Sequence, residues 1–341
     1  MSNPQLPILA VTLGDPAGIG PEIVAAALAS PQAIKVGRGL AVGDLAALER
    51  AINTLKLDVR AIGVSSVQDA KFEPGTIEIL DLELTDKNLQ MGVVSAEAGK
   101  SAIGAIEAAT KLAMEKQVSG IVTAPINKEA IWAAGSKHLG HTEMLGELTG
   151  APSSDTMFVV KGLKLFFTTR HVPLRTALDQ LSIERVEEAI KKAALALETF
   201  GENQTRLAVA AVNPHGGENG NFGREEIDIL KPAIEKCRAL GINVVGPIPA
   251  DSVFHHGLTG RYDGILTHFH DQGHIPSKTY DFDGTVSVTI GLPILRTSVD
   301  HGTAFDIAGK GIASAGTMIA AFEVGAAYSR YSENIRKAFN S

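Results

Sequence analysis

Ile8-Leu9-Ala10-Val11-Thr12-Leu13 runs through Gly14-Asp15-Pro16-Ala17-Gly18-Ile19-Gly20 into Pro21-Glu22 and a helical pattern. A short unbroken apolar run suits a buried strand, and proline at the first helical position marks where the helix opens. Strand, glycine-rich loop and helix then recur along the chain. Gly39–Val42 precedes Asp44–Leu55, Thr76–Leu80 precedes the long pattern Ser95–Lys116, and Gly120–Thr123 gives way to Asn127–Ala134. Farther on, Thr156–Val160 and Leu163–Phe167 predict a hairpin about Lys161-Gly162. Helix Ile183–Phe200, strand Leu207–Val212, helix Arg224–Leu240, and strands Asn243–Gly246, Gly264–Thr267 and Val286–Ile290 follow, with one or two helices between Ala313 and Phe339. Such alternation predicts an α/β protein whose sheets are mostly parallel and carry helices on both faces.

The chain has 341 residues, so two domains or one large α/β domain are expected. A hydrophobic content of 45% is that of an ordinary globular core, and a net charge of −7 argues against a nucleic-acid partner. No apolar run approaches the ~20 residues that span a bilayer. Met1-Ser2-Asn3-Pro4-Gln5-Leu6 lacks the basic and apolar stretches of a signal peptide. Cys237 is the sole cysteine, which excludes an intrachain disulfide and suits a reducing cytoplasm.

Chemistry gathers around histidine. Three of the ten histidines fall in Thr267-His268-Phe269-His270-Asp271-Gln272-Gly273-His274. Two others stand in Arg170-His171-Val172-Pro173 and Asn213-Pro214-His215-Gly216-Gly217, each after a strand-like run. Any one of these alone suits a surface loop. Together, at the strand ends where open α/β folds keep their sites, they suit metal ligation by neutral imidazole. Gly14–Gly20 is neither a Walker loop, lacking the Lys-Ser/Thr pair after Gly20, nor G-x-G-x-x-G; a tight turn and an anion loop both fit it. His141 and Thr142 stand at a predicted helix start, where free amides favour an anion, although Thr142 also suits a simple cap. Arg296 follows Gly291-Leu292-Pro293 and offers a bidentate grip on phosphate; Lys278 adds a second cation near the histidines. Asp300-His301-Gly302-Thr303-Ala304-Phe305-Asp306-Ile307-Ala308-Gly309-Lys310-Gly311 makes neither a good strand nor a good helix.

That last segment resembles the His-Gly-Ser/Thr-Ala-x-Asp-Ile-Ala-Gly-Lys-Gly stretch of the isopropylmalate and isocitrate dehydrogenase superfamily, which binds NAD without a Rossmann fingerprint. Gly14–Glu22, Thr123–Lys128, Gly140–Glu143, Asn213-Pro214-His215, His270–Gly273 and Arg296–Ala304 narrow the resemblance to the 4-hydroxythreonine-4-phosphate dehydrogenase family of pyridoxal phosphate biosynthesis. The resemblance covers nearly the whole chain and implies several things. Two α/β/α domains would flank an active-site cleft, residues 1–130 with 296–341 forming one and 131–295 the other. His171, His215 and His270 would bind one divalent ion, Zn2+ suiting an all-imidazole set better than Mg2+, with Co2+ or Mn2+ as alternatives. His141, Thr142, Lys278, Ser287 and Arg296 would contact substrate, and His301, Gly302, Thr303, Ala304 and Asp306 would contact NAD or NADP. Asp251 and Asp271 would orient ligating imidazoles, and Lys278 would handle a proton near the alcohol. A homodimer would share metal histidines between subunits.

The implied reaction is metal-assisted oxidation of the C3 hydroxyl of 4-phosphooxy-L-threonine, then decarboxylation to 3-amino-2-oxopropyl phosphate. One departure bears on the substrate: the family commonly has Asn where this chain has Ser287, and a hydroxyl cannot reproduce its amide contacts. Relatives acting on 4-phospho-D-threonate or 4-phospho-D-erythronate, which give dihydroxyacetone phosphate and CO2, are the first alternative. A dihydrodiol dicarboxylate dehydrogenase is the second. A metal-dependent hydrolase would use the same histidines without needing Asp300–Gly311, and a sugar-phosphate binding protein would need no metal.

Overall fold

Short apolar runs bounded by glycine or proline form strands, and most of these strands are followed by a helix. The structure is a computed structural model that describes residues 6–85, 88–201 and 205–339; residues 1–5, most of the stretch read above against a signal peptide, lie outside these. Contacts divide the chain into two compact units, Met1–Asp155 with Val286–Ser341, and Thr156–Thr285.

The first unit holds strands β1 (Ile8–Thr12), β2 (Arg38–Gly43), β3 (Arg60–Val64), β4 (Thr76–Asp81), β5 (Gly120–Thr123) and, from the far end of the sequence, β11 (Val286–Ile290) and β12 (Arg296–Ser298). Their order is β3-β4-β2-β1-β5-β12-β11, all parallel except β11. Alternate residues of β1 point to opposite faces. Leu9 and Val11 join the helices Gly20–Leu28, Leu45–Leu55 and Gly316–Tyr328, while Ala10 joins Ala96–Met114 on the other side. With both faces covered, β1 is buried almost throughout, which is why it reads as continuous hydrophobicity rather than alternation.

The second unit holds β6 (Asp155–Val160), β7 (Leu163–Phe167), β8 (Leu207–Ala210), β9 (Val244–Ile248) and β10 (Gly264–Thr267) in the order β6-β7-β10-β8-β9. The β6–β7 pair is the antiparallel hairpin expected at Lys161-Gly162, and its two loop residues have φ of 48° and 86°. Two positive φ values in a two-residue loop match the right-handed twist of the flanking strands. The other three pairings are parallel. A mixed α/β architecture with mostly parallel sheets is therefore what the alternation pattern implied.

The unit boundaries fall at 155/156 and 285/286, whereas the sequence placed domain boundaries at 130/131 and 295/296. Both shifts have one kind of cause. Helices Lys128–Ala133 and His141–Thr149 pack on Ala96–Met114, and β11 pairs with β12. Local elements differ too. The predicted helix Arg224–Leu240 is a wide π-type turn over Glu226–Leu230 continuing as Lys231–Ala239. The histidine cluster is not a loop throughout, since His270–Tyr280 is helical.

Candidate functional site

In the first unit the strand register sets four hydroxyls side by side. Thr12 lies opposite Thr123, Thr123 opposite Ser298, and Ser298 opposite Ser287. Thr12, Thr123 and Ser298 are the last residues of β1, β5 and β12, so the row follows the carboxyl edge of the parallel strands, where open α/β sheets bind ligands. Thr123 Oγ1 donates to Ser298 Oγ at 2.9 Å, and Ser287 Oγ donates to the Ser298 carbonyl at 3.1 Å. Above them sits Arg296, only 6% exposed. Its Nε and Nη2 donate to Thr123 Oγ1 at 3.1 and 2.8 Å, and Nη1 donates to Thr289 Oγ1 at 2.8 Å. Among the described residues its partners are neutral hydroxyls, and burial draws the guanidinium pKa down to about 10. A buried cation held by neutral groups is an anion site in waiting.

His141 opens the helix His141–Thr149, whose N-cap is Gly140 rather than Thr142. Its Nε2 is buried without a hydrogen-bond partner. Burial, then the neighbouring Arg296 charge, hold its pKa well below 6.5, so the imidazole is neutral. Gly14–Gly20 is a tight turn: a Cβ on Gly14, at φ +69°, would lie 2.3 Å from the Pro125 carbonyl oxygen. Asp15 fills this turn. Its Oδ1 accepts from the Ala17 amide at 2.9 Å, its Oδ2 is buried without a partner, and desolvation lifts its pKa to about 6. A carboxylate there repels an anion, which leaves the turn reading.

Asp300–Gly311 is an irregular loop. Ala304, Gly309 and Gly311 have φ of 42°, 78° and 66°, and a left-handed alanine is uncommon enough to signal constraint. His301, Gly302 and Asp306 are exposed and Ala304 is half-buried. Thr303 differs: its carbonyl accepts from the Ile19 amide at 3.0 Å and its side chain faces Gly18. A Cβ added at Gly302 meets nothing within 4 Å, so the backbone there is open. Glu22, which the sequence did not single out, accepts from the Gly309 amide at 2.5 Å and the Gly311 amide at 2.9 Å.

The second unit carries the three histidines read above as metal ligands. His171 and His270 have ring centroids 5.9 Å apart. His270 Nδ1 lies 2.8 Å from Asp271 Oδ1, which places the proton on Nδ1 and leaves Nε2 for a ligand. His268 and His274 belong to the interior. The rings of Phe158 and Phe167 flank His274 at 4.4 and 5.0 Å. His268 bonds the Ala210 carbonyl at 2.8 Å and Thr168 Oγ1 at 3.1 Å, and burial lowers its pKa to about 4. Asp251 stands exposed in the first turn of the helix Ala250–Leu258. Lys278 lies on the helix His270–Tyr280 with Nζ 5.5 Å from the Phe282 ring centroid.

His215 begins a rare segment: from His215 to Gly220 every residue has positive φ. Left-handed backbone costs roughly 1–2 kcal/mol per L-residue, so something must hold it. Glu226, fully buried, does so through the residues just before it. Oε1 accepts from the Val212 and Asn213 amides, each at 2.8 Å, and Oε2 accepts from Asn213 Nδ2 at 2.9 Å. Burial raises the Glu226 pKa, but the hydrogen bonds from Asn213 and the amides outweigh it and the net shift is downward. Among the described residues of one chain, no group of three His, Cys, Asp or Glu side chains is gathered closely enough to hold a metal ion. Nor is any helix among them long and apolar enough to cross a membrane.

Comparison with known proteins places these features in one family. A protein of Cutibacterium acnes assigned as a D-threonate 4-phosphate dehydrogenase is 51% identical over 338 residues, which cover 98% of each chain. One from Halalkalibacterium halodurans with the same assignment is 49% identical, covering 94% of this chain and 97% of the other. The crystal structure of 4-hydroxythreonine-4-phosphate dehydrogenase from Klebsiella pneumoniae superimposes with a TM-score of 0.88 at 42% identity, covering 96% of this chain and 99% of that one. These relatives are dehydrogenases, and the chain is an oxidoreductase of their kind. Three of the four strand-end hydroxyls, the buried arginine and the histidine helix lie within residues 35–325, the span matched by the pyridoxal phosphate biosynthetic protein PdxA, and the chain belongs to that family.

Proposed function

We propose that this enzyme oxidises the C3 hydroxyl of D-threonate 4-phosphate with NAD or NADP and releases CO2, leaving dihydroxyacetone phosphate. The observation that carries a phosphorylated substrate is Arg296, buried on the hydroxyls of Thr123 and Thr289 beside the unpartnered Nε2 of neutral His141. A phosphate would take both guanidinium donors, the His141 N–H and the free amides at the start of its helix, with Thr142 next in line. The relatives from C. acnes and H. halodurans favour threonate over the amino acid, and so does Ser287, a hydroxyl where the family commonly has an amide.

Oxidation at C3 gives a 3-keto acid; its carboxylate leaves as CO2, the C1–C2 bonding pair passing into the ketone as an enolate that then takes a proton at C2. The bound dinucleotide supplies the hydride acceptor, and a bound divalent ion, Zn2+ by preference for imidazoles, supplies Lewis-acid polarisation of the C3 oxygen. His171 and His270, the latter turned by Asp271, would supply two of the three imidazoles; His215 and a homodimer partner complete the proposal. Lys278 is the proposed proton-handling group. Its competing role, pairing with the substrate carboxylate, gives a different pH profile in a Lys278→Met variant.

A second reading, 4-hydroxythreonine-4-phosphate oxidation, is favoured by the structural match to the K. pneumoniae enzyme. NADH formation with D-threonate 4-phosphate, D-erythronate 4-phosphate and 4-phosphooxy-L-threonine under one metal condition decides between them. The proposal requires the highest kcat/KM with D-threonate 4-phosphate. A higher value with the amino acid reverses the ranking. No oxidation and no dinucleotide binding would return the metal-dependent hydrolase.

A further inference from the structure

We infer that Glu22 is a positioning residue for the dinucleotide, fixing the shape of the Ala304–Gly311 loop from beneath. The Gly14–Glu22 motif has so far supplied only a turn. Its last residue, 2% exposed, spends both carboxylate oxygens on backbone amides, those of Gly309 and Gly311. Those two glycines are the left-handed positions flanking Lys310, whose exposed side chain rides on the clamp. Nearby, the Ile19 amide holds the Thr303 carbonyl, and a Cβ at Gly18 would stand 3.0 Å from both the Thr303 carbonyl oxygen and its Cβ. Gly18–Glu22 is thus a floor under residues 303–311.

A buried carboxylate is costly unless hydrogen-bonded, and an apolar side chain would hold a helix against a loop at less cost. A carboxylate earns its place where two amides must be fixed at a set spacing. Its position in the first turn of the helix Gly20–Leu28 adds the favourable end of the helix dipole. Without those acceptors the two amides need other partners, and the loop relaxes from its left-handed turns. A loop that must reorder on binding weakens the ligand it orders around, while leaving chemistry after binding little changed.

The inference rests on reading Asp300–Gly311 as the dinucleotide surface, so the test separates the two. Three variants of the full-length protein are compared: Glu22→Ala, Glu22→Gln and Gly302→Leu. Amide hydrogen exchange at Gly309 and Gly311, measured without ligand, reports the clamp alone. Both should lose protection in Glu22→Ala, and Glu22→Gln, with one acceptor oxygen left, should lose less. The Kd for NAD should rise on the order of 10- to 100-fold in Glu22→Ala, given two charge-assisted bonds lost, with an intermediate rise for Gln and with kcat and substrate KM nearly unchanged. Unchanged exchange overturns the clamp. Faster exchange with unchanged NAD affinity, while Gly302→Leu does weaken NAD, overturns the positioning role. If Gly302→Leu leaves NAD affinity intact, the segment is not the dinucleotide surface and the inference falls with that reading. Glu22→Gln keeps size and fold should Glu22→Ala fail to fold.

Discussion

Arg296 reaches Thr123 with two of its nitrogens, Nε at 3.1 Å and Nη2 at 2.8 Å, so one hydroxyl oxygen accepts both arms of the fork's edge. Thr123 in turn donates to Ser298, which fixes its lone pairs toward the guanidinium. The arginine is therefore held in place before any ligand arrives. Its remaining donors face whatever fills the site. Arg296→Ala should lower kcat/KM for the phosphorylated substrate on the order of 10- to 100-fold, the worth of a lost charge-assisted contact. The penalty should shrink for a substrate lacking its phosphate. Steady-state kinetics with both substrates check this, and an equal penalty would place the phosphate elsewhere.

The metal assignment rests on His171, His215 and His270. Each alanine variant should bind less than one equivalent of Zn2+ after dialysis, measured by metal analysis. Asp271→Asn should keep the fold and weaken metal binding by roughly 10- to 100-fold, because His270 loses the partner that sets its tautomer. Full occupancy in all three histidine variants would remove the assignment.

Asp15 makes a stability prediction with a definite sign. Its folded pKa, about 6, lies above the ordinary value of 3.8. Folding therefore favours the protonated acid: the stability it contributes is complete below about pH 4 and is lost as pH rises through about 6. At pH 8 the ionised carboxylate is a cost, up to roughly 3 kcal/mol for a shift of this size. Asp15→Asn should be more stable than wild type at pH 8, with the difference closing toward pH 4. Urea unfolding at several pH values measures it. His268 runs the other way, since its pKa is lowered to about 4 and its contribution is lost as pH falls below 6.5. Because His268 is common to both proteins, their difference isolates Asp15.

Glu226 bears on His215. Glu226→Gln retains one acceptor oxygen but sets an amide NH2 against the Asn213 amide, so the left-handed turn loses its anchor. Metal affinity should fall on the order of 10-fold or more while the far-UV spectrum stays native. Unchanged affinity with reduced stability would make Glu226 a purely structural residue.

Much of this was legible beforehand, for reasons that differ by element. Buried parallel strands such as β1 and β5 announce themselves because both faces are covered and nothing polar interrupts them. β3 escaped because Arg60–Val64 is largely exposed and its apolar stretch, Ala61–Val64, is short and broken by Gly63. The helix His270–Tyr280 escaped because histidine, glycine and an internal Pro276 mask its period. The histidines and Arg296 stood out by their places after strand-like runs, and Ser287 through the family resemblance, but the hydroxyl row did not stand out. Serines and threonines are ordinary in sequence, and only strand register aligns four of them. Glu22 and Glu226 look like solvated helix-start glutamates. Burial and amides from distant chain, 287 residues away in the case of Gly309, give them their roles.

The proposed anion pocket has a property that follows from its makeup. His141 stays neutral down to pH well below 6.5, Arg296 stays charged until about 10, and the rest of the pocket is hydroxyl. Across neutral pH the protein's side of the contact does not titrate. The ligand's side does, since a phosphate monoester loses its second proton near pH 6. A binding curve traced against pH would then record the ionisation of the guest, with the host serving as a fixed reference electrode.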